Sequence, residues 1–206
     1  MDGSVGQLTQ GTTVPLTVAA TIGYVPVPIS GLSNNQAISA ASATGDGHFN
    51  VWGNSFPAEH LPPAGSQVEV AGIPFDFPAG GPGGDNIRCA GQLVALPPGR
   101  YDWVHLLAAA ERRAEDAVAL HFTDGDVDFE TLRVSDFWAA PARFGEHPAF
   151  ASPVMHYPHH VQPRLDARLW HQRVPVTRDQ PLSALRLPRN VALHVFAVTL
   201  QTRPEA

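Results

Sequence analysis

The densest chemistry in this sequence is imidazole. His156-Tyr157-Pro158-His159-His160 lies close in sequence to His147 and His171, and three such rings on one loop can hold zinc or another transition metal. The same rings titrate near neutrality and can act as a general base. They can equally be idle side chains of a polar loop. Residues three apart in an extended segment face apart, so His156 and His159 meet only if Pro158 turns the chain between them. Glu59-His60 sets a carboxylate beside an imidazole, although neighbours on one turn rarely face a common point. With Asp136 and Tyr157, the candidate proton-transfer residues are His156, His159, Glu59, Asp136 and Tyr157.

Aromatic residues make the second group. Trp52, Trp138, Trp170 and Phe137 lie near turns or polar neighbours. Rings with Asn, Asp or Arg beside them suit a concave site for a small polar molecule, and Asn86 is the amide assigned to it. Trp103 and His194 sit inside apolar runs and read as core, His194 as a buried, hydrogen-bonded ring. No Gly-x-Ser-x-Gly elbow, phosphate loop or His-Glu-x-x-His helix is present. Asp124, Asp126 and Asp128 alternate as in an acidic calcium loop, but the distal glutamate is missing, which favours a solvated hairpin tip.

Composition limits the partners. The 206 residues carry a formal charge of −6, unsuited to a nucleic acid, whose phosphates need a clustered basic face. All 13 basic residues are arginine. A GC-rich genome explains that plainly, and guanidinium forks that grip carboxylate or hydroxyl groups are the other explanation. One cysteine, Cys89, excludes an intramolecular disulfide. No apolar run is long enough for a membrane helix, so no membrane partner is expected. Met1-Asp-Gly-Ser-Val-Gly has no basic stretch ahead of an apolar core. A cytoplasmic protein is therefore expected, unless the chain is an excised module of a secreted one. No organic cofactor is implied, and assembly as a homo-oligomer stays open.

The elements that must position these residues are strands. Val191 to Leu200 is a nearly uncharged run after Leu187-Pro188-Arg189-Asn190, which predicts a long strand in the middle of a sheet. Shorter runs recur, separated by turns drawn from 20 Pro and 18 Gly. The prolines at 15, 26 and 28 confine Val14 to Ile29 to edge strands. Val68 to Phe77 alternates as one half-buried strand, Tyr101 to Ala110 favours a strand over a helix, and Pro57 to His60 suits one helical turn. Pro141 to Leu165 reads as irregular. The total is ten or eleven strands in one all-β domain over residues 1–206, with 1–13 a loose tail.

Gly45-Asp-Gly-His-Phe, Ser55-Phe-Pro-Ala-Glu-His-Leu-Pro62, Gly72-Ile-Pro-Phe-Asp-Phe-Pro78 and Asp85-Asn-Ile-Arg-Cys-Ala-Gly-Gln92 occur in that order, ahead of the terminal strand. Taken together they resemble bacterial β-sandwich modules that accompany glycoside hydrolases, of the galactose-binding-like, NPCBM-type carbohydrate-binding kind. The resemblance implies a two-sheet antiparallel jelly-roll sandwich with ligand loops at one end and a structural calcium, for which Asp46 and Asp85 are the candidate ligands. It departs over Phe144 to Trp170, which is richer in histidine and aromatics. The function expected is binding of a carbohydrate or other small polar ligand. The alternative is a biosynthetic enzyme of the cyclase or isomerase type, built on the same sandwich and using one acid and one base.

Overall fold

The computed structural model describes residues 22–204. The loose tail expected over 1–13, and the part of the Val14–Ile29 run before residue 22, lie outside the described residues. Fourteen strands follow in order: β1 (Tyr24–Val27), β2 (Ile38–Ser39), β3 (Phe56–Pro57), β4 (Gln67–Val70), β5 (Ile73–Asp76), β6 (Ile87–Arg88) and β7 (Leu93–Gly99). After them come β8 (Tyr101–Ala110), β9 (Ala114–Phe122), β10 (Val127–Val134), β11 (His147–Tyr157), β12 (His160–Pro175), β13 (Leu182–Arg186) and β14 (Leu193–Thr202). Helical structure is confined to short 3-10 turns, one of them Ala58–His60 as its sequence predicts. No described helix is long and apolar enough to cross a membrane.

Two antiparallel sheets form the sandwich. One runs β1-β14-β8-β12-β11, with β6 also paired to β14; the other runs β10-β9-β13-β7. As predicted, the terminal strand is central, between β1 and β8, and Pro26 lies in an edge strand, where its missing N–H costs no ladder bond. The larger sheet is covered on both faces. Leu106 and Ala108 of β8, with Val195 and Val198 of β14, meet Val118, Leu120 and Leu185 of the smaller sheet. On the opposite face Leu107, Ala109, Phe196 and Ala197 meet Phe49, Phe56, Phe75 and Phe77 from a cover of loops and short strands. Burial on both faces is why β8 and β14 are continuous apolar runs with no polar alternation. The register of β14 against β8 shifts between Val195 and Ala197. Phe196 and Ala197 consequently both face the cover, and Val198 returns to the inter-sheet core.

Two expectations are corrected. Val68 to Phe77 is a hairpin of two strands, because Ala71 and Gly72 adopt φ of 53° and 79° and make a tight reversal between β4 and β5. The segment Pro141 to Leu165 contains a long hairpin, β11 against β12. Pro148 and Pro153 are tolerated because β11 is an edge strand, and Pro163 because that part of β12 pairs with β11 alone. Pro153 falls within a register shift, and Pro158 in the turn. These short and proline-bearing strands raise the count above the ten or eleven expected.

A buried ring, His105, and a half-buried one, His171, between β8, β12 and β14 make stability depend on pH. His105 Nε2 meets Gln201 Oε1 and its Nδ1 meets His171 Nε2, each at 3.0 Å. Burial, then the positive charges of His105, His147 and Arg173, holds His171 down to about 4, and burial also lowers His105. An unfolded chain binds protons on both rings below the ordinary 6.5, so the folded state loses stability as pH falls from that value towards about 4. Thermal denaturation across this window should show the wild-type midpoint falling more steeply than that of His171→Gln, whose amide keeps a donor to His105. Parallel curves would contradict the assignment.

Candidate functional site

The site lies at the end of the sandwich where β8 leaves the larger sheet. Ala110 bridges Asp136, and Phe137 N–H donates to Ala110 carbonyl at 2.9 Å. This brings the β8–β9 turn, Glu111 to Arg113, against the segment after β10, Asp136 to Trp138. The loop bearing Asn50, Trp52 and Asn54 and the end of β11 at Tyr157 close the ring around a recess of about 650 Å³, a volume suited to a small molecule.

Its rim and floor differ. Trp52 and Trp138 are 59% and 53% exposed, whereas Asn50, Asn54 and Phe137 are buried. Trp138 stacks on Phe137 at 5.1 Å, and Phe137 packs edge-on against Phe49 at 5.2 Å, so the rim indole rests on the aromatic core beneath. Asn50 shapes the opposite wall: its Oδ1 accepts the N–H groups of Trp52 and Asn54, and its carbonyl accepts that of Gly53. A Cβ on Gly53 would come within 2.9 Å of Pro158 Cγ. Only glycine lets this loop, at φ of 69°, seat on the β11–β12 turn.

Polar atoms left without partners gather here. Among the described residues, four buried side-chain atoms lack a hydrogen bond, and three belong to lining residues: Asn50 Nδ2, Asn54 Oδ1 and Asp136 Oδ1. Each such atom costs about 1–3 kcal/mol, and strain of this kind concentrates at functional sites. The orientation of Asn50 is set by the two N–H groups on its oxygen, so its free group is a donor. Burial raises Asp136 above the ordinary carboxylate range, while Trp170 Nε1 holds its backbone carbonyl from behind at 3.1 Å. Glu111 is built differently: its Oε1 accepts Arg88 Nη2 at 2.8 Å and faces His194 Nε2 at 3.4 Å.

Of the residues singled out from sequence, Trp52, Phe137, Trp138, Asp136 and Tyr157 line the recess together. Trp170 is buried behind it. The histidine cluster does not converge. His156 is fully buried in β11, with Nδ1 at 2.8 Å from Ser39 Oγ and Nε2 at 3.2 Å from Glu59 Oε1. His159 is exposed at the turn. Glu59 thus meets His156, not its neighbour His60. Ser39 Oγ is in turn 2.6 Å from Ser55 Oγ, and this buried relay ties β2 and β3 to β11. Asn86 is also structural. Fully buried, it donates to Asp85 and accepts from His194. His194 is the buried, hydrogen-bonded ring expected.

The assignment of Asp85 to calcium is corrected: its carboxylate already accepts from Ala37 N, Ile38 N, Gln36 Nε2 and Asn86 Nδ2, which fills its lone pairs. Asp46 is exposed at the end of a 3-10 segment. Among the described residues no three His, Cys, Asp or Glu side chains are grouped to hold a metal ion. Sequence reasoning missed Asn50, Asn54, Glu111, Arg112 and Arg113. Two asparagines flanking Trp52-Gly53, and a charged triplet ending an apolar run, were the available signals.

A family model described as an AziU2-like beta-sandwich domain matches residues 24–204. The sandwich expected from the resemblance stands; the match is to this family and gives no support to an NPCBM or galactose-binding-like assignment. No curated protein matches the chain.

The half-buried carboxyl of Asp136 gives a test of stability. A raised acid group supports the fold while protonated and loses that support as pH rises through its folded value. Asp136→Asn should therefore melt higher than wild type at neutral pH, and the difference should vanish in acid. A lower midpoint at neutral pH would show that the Asp136 charge stabilises the fold.

Proposed function

The chain belongs to the AziU2-like β-sandwich family, and on that premise we propose that it binds a small polar ligand, a carbohydrate or similarly hydroxylated molecule, in the recess between Trp52 and Trp138. One observation carries this reading. Two exposed indoles frame a recess lined also by the polar side chains of Asn50, Asn54, Glu111 and Asp136. A sugar offers C–H faces to aromatic rings and hydroxyls to such polar groups, each hydroxyl acting as donor and acceptor. The fold alone does not argue for binding, since sandwiches host unrelated activities.

A second reading, acid–base catalysis of the cyclase or isomerase type, is favoured by the burial-raised Asp136 beside Tyr157 in the same recess. It draws on these two residues alone, because Glu59, His156 and His159 do not line the cavity.

Tryptophan fluorescence titrated with a panel of mono- and disaccharides tests the binding reading. A saturable response is expected, and Trp52→Ala or Trp138→Ala should each weaken it by about tenfold, an aromatic contact of roughly 1.4 kcal/mol. Melting midpoints should barely change, because both indoles are exposed. A silent panel, or variants that bind as well as wild type, would remove carbohydrate from the proposal. Turnover lost in Asp136→Asn with binding retained would select the catalytic reading.

A further inference from the structure

A second recess of about 360 Å³ adjoins the first and shares Arg113, Asp136 and Trp138 with it. The two share these lining residues and together make one cleft. The second part is closed by Arg143 and the Ala139–Pro141 segment. Arginine residues therefore line both parts of the cleft: Arg112 and Arg113 the first, Arg113 and Arg143 the second.

These arginines lack the partners that others have. Arg88, Arg133, Arg168, Arg178 and Arg203 each pair with a carboxylate. Among the described residues, Arg112, Arg113 and Arg143 form no ion pair and donate no side-chain hydrogen bond. Arg164, Arg173 and Arg189 are likewise unmatched by a carboxylate but line neither recess, Arg173 lying over the Trp103 ring instead. In a chain of formal charge −6, three unmatched cations around one cleft are not explained by a general excess of arginine.

The neighbouring carboxylates leave Arg113 and Arg143 unanswered, whereas Arg112 acts electrostatically on Asp136. Glu111 is already matched to Arg88. Glu146 is buried and accepts from the backbone N–H groups of Ser135 and Phe144. Burial disfavours the charged form of Asp136. Meanwhile the backbone of Arg143 is anchored, its N–H donating to Ser135 Oγ at 2.7 Å, within the lining of the second recess.

Resting on the ligand-binding reading above, we propose that the ligand also carries an anionic group, a carboxylate or a phosphate, held in the second recess between Arg113 and Arg143. Its neutral, hydroxylated part then lies against Trp138 in the first. A planar guanidinium grips either anion through paired N–H donors, and the anion supplies the charge that the cleft lacks.

Glucose, glucuronate and glucose-6-phosphate titrated against the full chain, followed by tryptophan fluorescence, decide the matter. At low salt at least one charged sugar should bind about tenfold more tightly than glucose, an advantage that shrinks as salt rises. Which one gains distinguishes carboxylate from phosphate. In Arg143→Gln, an exposed substitution that leaves the core untouched, the ratio should fall towards one. Equal binding of all three, or an advantage that survives both Arg143→Gln and Arg113→Gln, would overturn the proposal. If no sugar alters the fluorescence, the carbohydrate reading fails separately. The anion site is then decided by melting in inorganic phosphate against chloride at equal ionic strength. Stabilisation by phosphate that Arg143→Gln abolishes supports the site, and identical midpoints refute it.

Discussion

A sheet buried on both faces is the constraint on which the rest of this structure depends. Every inward residue of β8 and β14 must find a partner above or below, and Phe196 and Ala197 can both face the cover only because a register shift lets two successive residues do so. The smaller sheet supplies one covering layer in the manner of an ordinary sandwich. The other is assembled from short strands and loops, whose aromatic residues Phe49, Phe56, Phe75 and Phe77 are buried against the sheet. Each such side chain, fully buried, contributes about 1.5–3 kcal/mol. That is enough to hold a layer with little regular secondary structure of its own.

A cover with so few backbone ladders must be tied down by side chains, and the buried polar relays do this. Ser55, Ser39, His156 and Glu59 link β2 and β3 to β11. Asp85, Asn86, His194, Glu111 and Arg88 run from the cover, through β14, to the wall of the recess. Every member of these relays has at least one partner, the condition under which a buried polar network rigidifies a fold. The recess shows the opposite pattern, with buried amide and carboxyl atoms left open. That contrast sets the recess apart from the scaffold, whose buried polar relays are satisfied.

The histidines show how composition can mislead. His156 and His159 belong to the densest ring cluster in the chain, yet the tight β11–β12 turn sends one into the interior and the other to solvent. The residues that do converge, Asn50, Trp52, Glu111, Arg113, Asp136 and Trp138, come from three separate segments. Nothing local in the sequence joins them. They meet because Asp136 bridges Ala110 at the strand end and because Gly53 lets its loop rest on Pro158.

Local chemistry was readable directly. Apolar runs with β-branched residues declared β8 and β14, Pro26 declared an edge, and the 3-10 turn at Ala58–His60 followed from its proline. All of these rest on contacts or dihedral limits within a few residues. The β11–β12 hairpin escaped because proline is forbidden in a strand only where its neighbour needs the missing N–H, and whether a strand is an edge is settled by the whole sheet. The same holds for the site. Side-chain type told which residues are capable of stacking, titrating or pairing with charge, whereas pairing across the sheet chose which of them share a cavity and which are spent in holding the cover in place.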